Sequence, residues 1–121
     1  MIGYVTIGTN DLPRACAFYD ALLADLGGKR AFDMGRLVMY VAAPGKPMLA
    51  VCTPWDGKPA TVGNGMMVAL DAGSKEMVHQ LHAKALELGG SDEGAPGPRG
   101  GGYAGYFRDL DGNKLVAFLM G

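Results

Sequence analysis

The chain carries one pattern of segments twice. The first copy runs Met1-Ile2-Gly3-Tyr4-Val5-Thr6-Ile7, a helix-like stretch, Gly27-Gly28, Arg36-Leu37-Val38-Met39-Tyr40-Val41, a Pro44-Gly45 turn and Met48-Leu49-Ala50-Val51. The second runs Met66-Met67-Val68-Ala69-Leu70, a helix-like stretch, Gly89-Gly90, Tyr103-Ala104-Gly105-Tyr106-Phe107, an Asp111-Gly112 turn and Lys114-Leu115-Val116-Ala117-Phe118. Gly27 and Gly89 stand 62 positions apart and Gly45 and Gly112 stand 67 apart, so the second copy is longer by about five residues. The extra length falls in the glycine- and proline-rich stretch 94–102. Such a repeat implies two modules of one architecture, able to enclose a ligand between them.

Each module reads as β-α-β-β-β. In the first, Ile2, Val5 and Ile7 alternate with smaller residues as a strand, with Val5 and Ile7 directed at a helix. Asp11 is placed to cap that helix, and Pro13 fits its first turn, where a missing N–H has no partner to lose. Ala15, Phe18, Tyr19, Leu22, Leu23 and Leu26 recur at spacings of three and four and form one apolar stripe. Gly27-Gly28 ends the helix, and strands follow over 30–34, 36–43 and 47–53. In the second module, a strand over 65–71 precedes a helix capped by Ser74, with Met77, Val78, Leu81, Ala85 and Leu88 as its stripe. Strands near 91–94, 102–109 and 114–120 complete it, with Asp109-Leu110-Asp111-Gly112-Asn113 as a tight turn. The expected fold class is α+β: two βαβββ modules forming curved antiparallel sheets with outer helices. The boundaries are about 1–56 for module one, 57–64 for a linker and 65–121 for module two, within one domain over 1–121.

Composition excludes several function classes. A formal net charge of -1 gives no basic field for nucleic acid and no polybasic membrane patch. No apolar run is long enough to span a bilayer. The N-terminus lacks a basic segment followed by an apolar one, and Cys16 and Cys52 are too few for a disulfide framework. A cytoplasmic location is therefore expected.

Two stretches carry a family resemblance over essentially the whole chain: Val5-Thr6-Ile7-Gly8-Thr9-Asn10-Asp11-Leu12 with Ala17-Phe18-Tyr19, and Phe107-Arg108-Asp109-Leu110-Asp111-Gly112-Asn113-Lys114-Leu115. With two βαβββ modules, they resemble the vicinal oxygen chelate superfamily of glyoxalases, bleomycin-type resistance proteins and extradiol dioxygenases. The resemblance implies the fold and not one chemistry, because that scaffold hosts lyases, oxygenases, transferases and binders. It also implies four metal-ligand positions, usually His or Glu. Carried onto this sequence they fall on Tyr4, Leu49, Gly65 or Met66, and Val116. None offers an imidazole or carboxylate, and a neutral phenol at Tyr4 cannot replace them. No metal and no other cofactor is expected.

The remaining candidates divide between chemistry and packing. His79 and His82 lie three apart on the second helix and are expected at solvated positions. Cys16 and Cys52, the latter alternating toward the helix side with Ala50, are expected to be buried structural thiols. Asp109 and Asp111 fit turn carboxylates, and Arg108 is expected to be exposed. The cleft face should carry Tyr4, Thr6, Leu49, Val51, Met66, Val68, Val116 and Phe118. This apolar lining suits either a pocket or a second core, and Met39, Met48, Met66, Met67 and Met120 are flexible fillers for both. Arg99 sits in a glycine loop, where it either clamps an anionic ligand or is solvated.

These readings converge on a metal-independent, small-molecule-binding protein that sequesters an apolar or mono-anionic ligand. Its ligand-binding residues would be Tyr4, Thr6, Leu49, Met66, Arg99, Val116 and Phe118, and its assembly a homodimer. The alternative is a glyoxalase-like lyase or isomerase in which Tyr4 donates a proton and Arg99 holds substrate.

Overall fold

In the computed structural model, which describes residues 1–120, ten elements follow one another. They are β1 (Tyr4–Gly8), α1 (Leu12–Ala24), β2 (Lys29–Asp33), β3 (Leu37–Val41), β4 (Met48–Cys52), β5 (Val68–Asp71), α2 (Lys75–Glu87), β6 (Ser91–Arg99), β7 (Gly102–Arg108) and β8 (Lys114–Leu119). They form two four-stranded sheets, ordered β1-β4-β3-β2 and β5-β8-β7-β6. The fold is α+β with two βαβββ modules. The chain divides into two compact units, Met1–Val62 and the remainder from Gly63. The start of the linker belongs to the first unit because Asn10 and Ala60 exchange hydrogen bonds, Nδ2 donating to Ala60 O at 3.2 Å and Ala60 N–H donating to Oδ1 at 2.6 Å.

Both helices start and stop as their sequences dictate. Asp11 accepts from Arg14 N–H at 3.1 Å, and Ser74 accepts from Met77 N–H at 3.1 Å. At the other ends, Gly28 N–H donates to Leu23 O and Gly90 N–H donates to Ala85 O, each at 2.8 Å. Gly27 and Gly89 take φ of +76° and +103° to allow it. This is the same six-to-one closure at both helix ends, and it needs a left-handed residue that only glycine supplies without strain.

The stripes bury as their spacing implies. Ala15, Phe18, Tyr19, Leu22 and Leu23 are buried on α1, as are Val78, Leu81 and Ala85 on α2. Tyr40 of β3 reaches α1, its hydroxyl donating to Asp20 Oδ1 at 2.8 Å and to Cys16 O at 3.3 Å. Arg30 of β2 forms a two-pronged pair with the same carboxylate, at 2.9 and 2.8 Å. The Arg30 guanidinium holds Asp20 below the ordinary carboxylate range, while burial pushes the Tyr40 hydroxyl up.

Three sequence expectations change. The β2-β3-β4 and β6-β7-β8 ladders are antiparallel, but β1 pairs parallel with β4, and β5 pairs parallel with β8. The opening strand of the second module starts at Val68, because Gly63–Met66 is a turn closed by Met66 N–H donating to Gly63 O at 3.1 Å. The largest change concerns 94–99. This stretch is strand, not loop: β6 runs on to Arg99 and absorbs its extra residues as irregularities between Asp92 and Gly94 and between Gly94 and Gly97. Gly100 and Gly101, at φ +50° and +87°, make the two-residue turn of a type I′ hairpin.

Candidate functional site

Register decides which side chains share a face. Partners directly across a ladder point to the same side. Tyr40 points at α1 and is paired with Leu49, which is paired in turn with Val5. Val51, the partner of Ile7 and Val38, lies on that side too. Leu49 and Val51 therefore face the helix. Tyr4 and Thr6 lie on the other face with their partners Met48 and Ala50. Cys52 shares that second face with Ala50, so it points away from α1 and from Cys16, against the sequence expectation. Both thiols are buried and free.

The second unit is organised alike. Phe107 of β7 meets His82 of α2 edge-on, with ring centroids 6.4 Å apart. Its partner Leu115, and Val68 beyond it, therefore face the helix. Tyr106, Val116, Ala104 and Phe118 occupy the helix-free face. Val116 is buried there and Phe118 is half-buried. Met66 lies in the turn before β5 and is exposed. The structure thus joins Tyr4 and Thr6 in the first unit and Arg99, Val116 and Phe118 in the second. Leu49 and Met66 belong to neither set, because the parallel register turns Leu49 to its helix and the Gly63–Met66 turn removes Met66 from the strand.

Arg99 is the end of β6 and not part of a closing loop. Its Nη1 donates to Pro98 O at 3.0 Å and its Nη2 to Ala95 O at 2.9 Å. Its guanidinium carbon stands 5.8 Å from the Tyr106 ring centroid, and Lys114 Nζ stands 5.4 Å from the same centroid. Tyr106 and Lys114 escaped the sequence reading, although Tyr106 sits at the alternating positions of β7 that share a face with Val116. Arg108 is half-buried, not fully exposed, and is held by Glu93 and by Gly112 O.

His82 departs most from expectation. It is buried, with Nε2 3.0 Å from Asp92 Oδ1. Its position completes the 78, 81, 82, 85 spacing of the buried stripe, a signal its polar side chain masked. His79 is exposed and lies 2.7 Å from the Tyr103 hydroxyl. Asp109 is a turn residue as expected, accepting from Asp111 and Asn113 N–H at 2.9 Å each.

The Gly94 N–H and then His82 hold the Asp92 carboxyl below its ordinary range, and Arg108 does the same for Glu93. A carboxylate with a depressed folded pKa stabilises the fold above its unfolded pKa, near 4, and loses that contribution as pH falls through the folded value. Asp92→Asn should therefore lose less stability than wild type between pH 7 and about pH 3, read as the change in urea midpoint. Parallel losses in the two proteins would show that Asp92 does not shape the acid limb.

The metal-ligand positions implied by the resemblance do not fit a metal. Tyr4 and Val116 lie on helix-free faces, Leu49 faces α1, and Gly65 and Met66 lie in a turn. Among the described residues no three His, Cys, Asp or Glu side chains gather where one ion could bind them. Nor is any described helix long and apolar enough to cross a membrane.

Comparison with known proteins agrees with the fold. The profile of the Glyoxalase/Bleomycin resistance protein/Dioxygenase superfamily matches residues 1–117. A glyoxalase/bleomycin resistance protein from Albidiferax ferrireducens T118 is 38% identical, with a TM-score of 0.90 over 98% of this chain and 97% of that one. Lactoylglutathione lyase from Agrobacterium tumefaciens shares the fold at 23% identity and a TM-score of 0.70, over 98% of this chain and 92% of that one. A family enzyme from Burkholderia phytofirmans PsJN shares it at 18% identity and a TM-score of 0.75, over 96% and 95% of the two chains. No curated protein matches the sequence. The chain belongs to the glyoxalase/bleomycin resistance protein/dioxygenase superfamily.

Proposed function

We propose that the protein binds a small apolar or mono-anionic molecule without a metal ion, and holds it instead of transforming it. The observation that carries this reading is the donor set. The positions onto which the resemblance carries the family's metal ligands hold Tyr4, Leu49, Gly65 or Met66, and Val116, and the β4 residues that do share the face of Tyr4, Met48 and Ala50, offer no imidazole or carboxylate either. Divalent transition metals in such sites need several nitrogen, oxygen or thiolate ligands. The helix-free face of the second unit instead offers apolar and aromatic surface at the half-buried Phe118 and Tyr106, with cationic groups from Arg99 and Lys114 beside the Tyr106 ring. Such a face rewards buried hydrocarbon at roughly 25 cal/mol per Å² and tolerates one anion.

Two measurements test the reading. Elemental analysis of untagged protein should find well under one transition metal per chain. A thermal-shift screen of small aromatic and branched aliphatic compounds, neutral and mono-acidic, should raise the Tm of wild type, and Phe118→Ala should diminish those shifts by removing ring surface. Stoichiometric metal that survives mild chelation, or catalytic turnover of a screened compound, would overturn it.

A further inference from the structure

We infer that Arg99, Tyr106 and Lys114 form a seat for a small planar carboxylate on the helix-free face of β6, β7 and β8. The inference rests on the small-molecule reading above and gives it a ligand class and a place within the second unit.

The seat is built by the backbone of β6. Arg99 folds back along its own strand and donates to two carbonyls, Pro98 O and Ala95 O. Two glycines leave room for it there. A Cβ at Gly97 would stand 3.1 Å from Nη1, and one at Gly94 would stand 3.6 Å from Nη2 and 3.2 Å from Tyr106 Cδ1. Register places Gly94 across from Tyr106 and Gly97 across from Ala104, so the guanidinium, the glycines and the ring share one face. Lys114, from the adjacent strand β8, brings a second positive charge to that ring.

Among the described residues no carboxylate pairs with Arg99. Glu93, which acts on Lys114 through space, is itself bonded to Arg108. Two cations thus meet at one aromatic ring with no anion assigned to Arg99. A negative ligand beside that ring would gain from the positive charge of Arg99. The chemistry of the donors selects its shape. Two of the five guanidinium donors are committed to carbonyls, and the rest suit the two parallel bonds of a carboxylate. Lys114 adds a point charge without a fixed geometry. The half-buried rings of Tyr106 and Phe118 share this face for an apolar ligand body. Because the carbonyls already hold the guanidinium, little side-chain freedom remains to be lost on binding.

The test titrates the full chain at low ionic strength with benzoate, benzamide and inorganic phosphate, by calorimetry or amide chemical shifts. Benzoate should bind about ten-fold or more tighter than benzamide, the ratio expected for a charge-assisted contact, and tighter than phosphate. Arg99→Ala and Lys114→Ala should each weaken benzoate about ten-fold and weaken benzamide far less. Gly97→Ala keeps every charge, and its new methyl meets only the flexible end of Arg99. It should fold normally and still weaken benzoate several-fold by lifting the guanidinium off its carbonyls. Equal binding of benzoate and benzamide would overturn the carboxylate seat and leave the small-molecule reading standing. Phosphate binding as tightly as benzoate would also overturn it. Benzoate binding indifferent to Arg99→Ala and Lys114→Ala would place the carboxylate elsewhere. If neither benzoate nor benzamide binds, the seat falls, and the thermal-shift screen decides separately on the wider reading.

Discussion

Replacing Phe107 with alanine should cost about 3–5 kcal/mol, the usual range for deleting a fully buried aromatic ring. Phe107 has no exposed surface, stands on the helix side of β7, and abuts the His82 ring of α2. Its strand partner Leu115 and the helix residues Val78 and Leu81 are equally enclosed. Neighbours so tightly packed cannot collapse into the space left behind. The loss reaches beyond the ring. His82 also holds Asp92 at the start of β6, so a looser His82 weakens the attachment of that strand. Denaturant unfolding monitored by circular dichroism should give a lower midpoint for Phe107→Ala with an unchanged slope. A loss below about 1 kcal/mol would mean that the site repacks, against the burial described.

Gly90→Ala should be harmful by a different route. The substituted methyl would lie 2.5 Å from Arg108 O and 2.8 Å from Ala85 O. Both are backbone atoms, fixed by the β7 ladder and by the end of α2, so neither can move aside alone. Gly90 N–H also donates to Ala85 O, and pushing the chain away from α2 would strain that closure. Overpacking of this kind costs roughly 1–3 kcal/mol, occasionally more. Gly3→Ala is the matched control, since a Cβ there meets nothing within 4 Å. Urea midpoints should separate the two variants clearly. Equal midpoints would show that the helix end has slack enough to take the methyl.

Much of the fold was legible because it is encoded locally. Three-four spacing marked both helices, Asp11 and Ser74 marked their starts, and the paired glycines marked their ends. The Asp109–Asn113 turn was legible because a carboxylate in that position gathers nearby N–H groups. What escaped depends on partners distant in sequence. Alternation shows that a strand has two faces but not which one meets the helix. The parallel β1–β4 register settled that, and it removed Leu49 from the face of Tyr4 and Thr6. The Gly94–Arg99 stretch was misread because Pro and Gly discourage ordinary strands. An edge strand is the exception, because its outward-facing positions need no N–H and its irregularities accept glycine. His82 was misplaced because its polarity outweighed a spacing that fitted the stripe.

The unpaired side of β6 has a consequence for what can approach the second sheet. β6 is its outermost strand, and the residues flanking a two-residue hairpin turn form a hydrogen-bonded pair. Arg99 and Gly102 therefore direct their backbone groups inward, which leaves the neighbouring position, Pro98, turned outward. Proline has no N–H to offer there, and Pro96 lies in the irregular stretch just before it. A foreign strand seeking to extend the sheet would find missing donors and a broken register along this border. The border that carries Arg99 is thus poorly suited to zippering with another polypeptide.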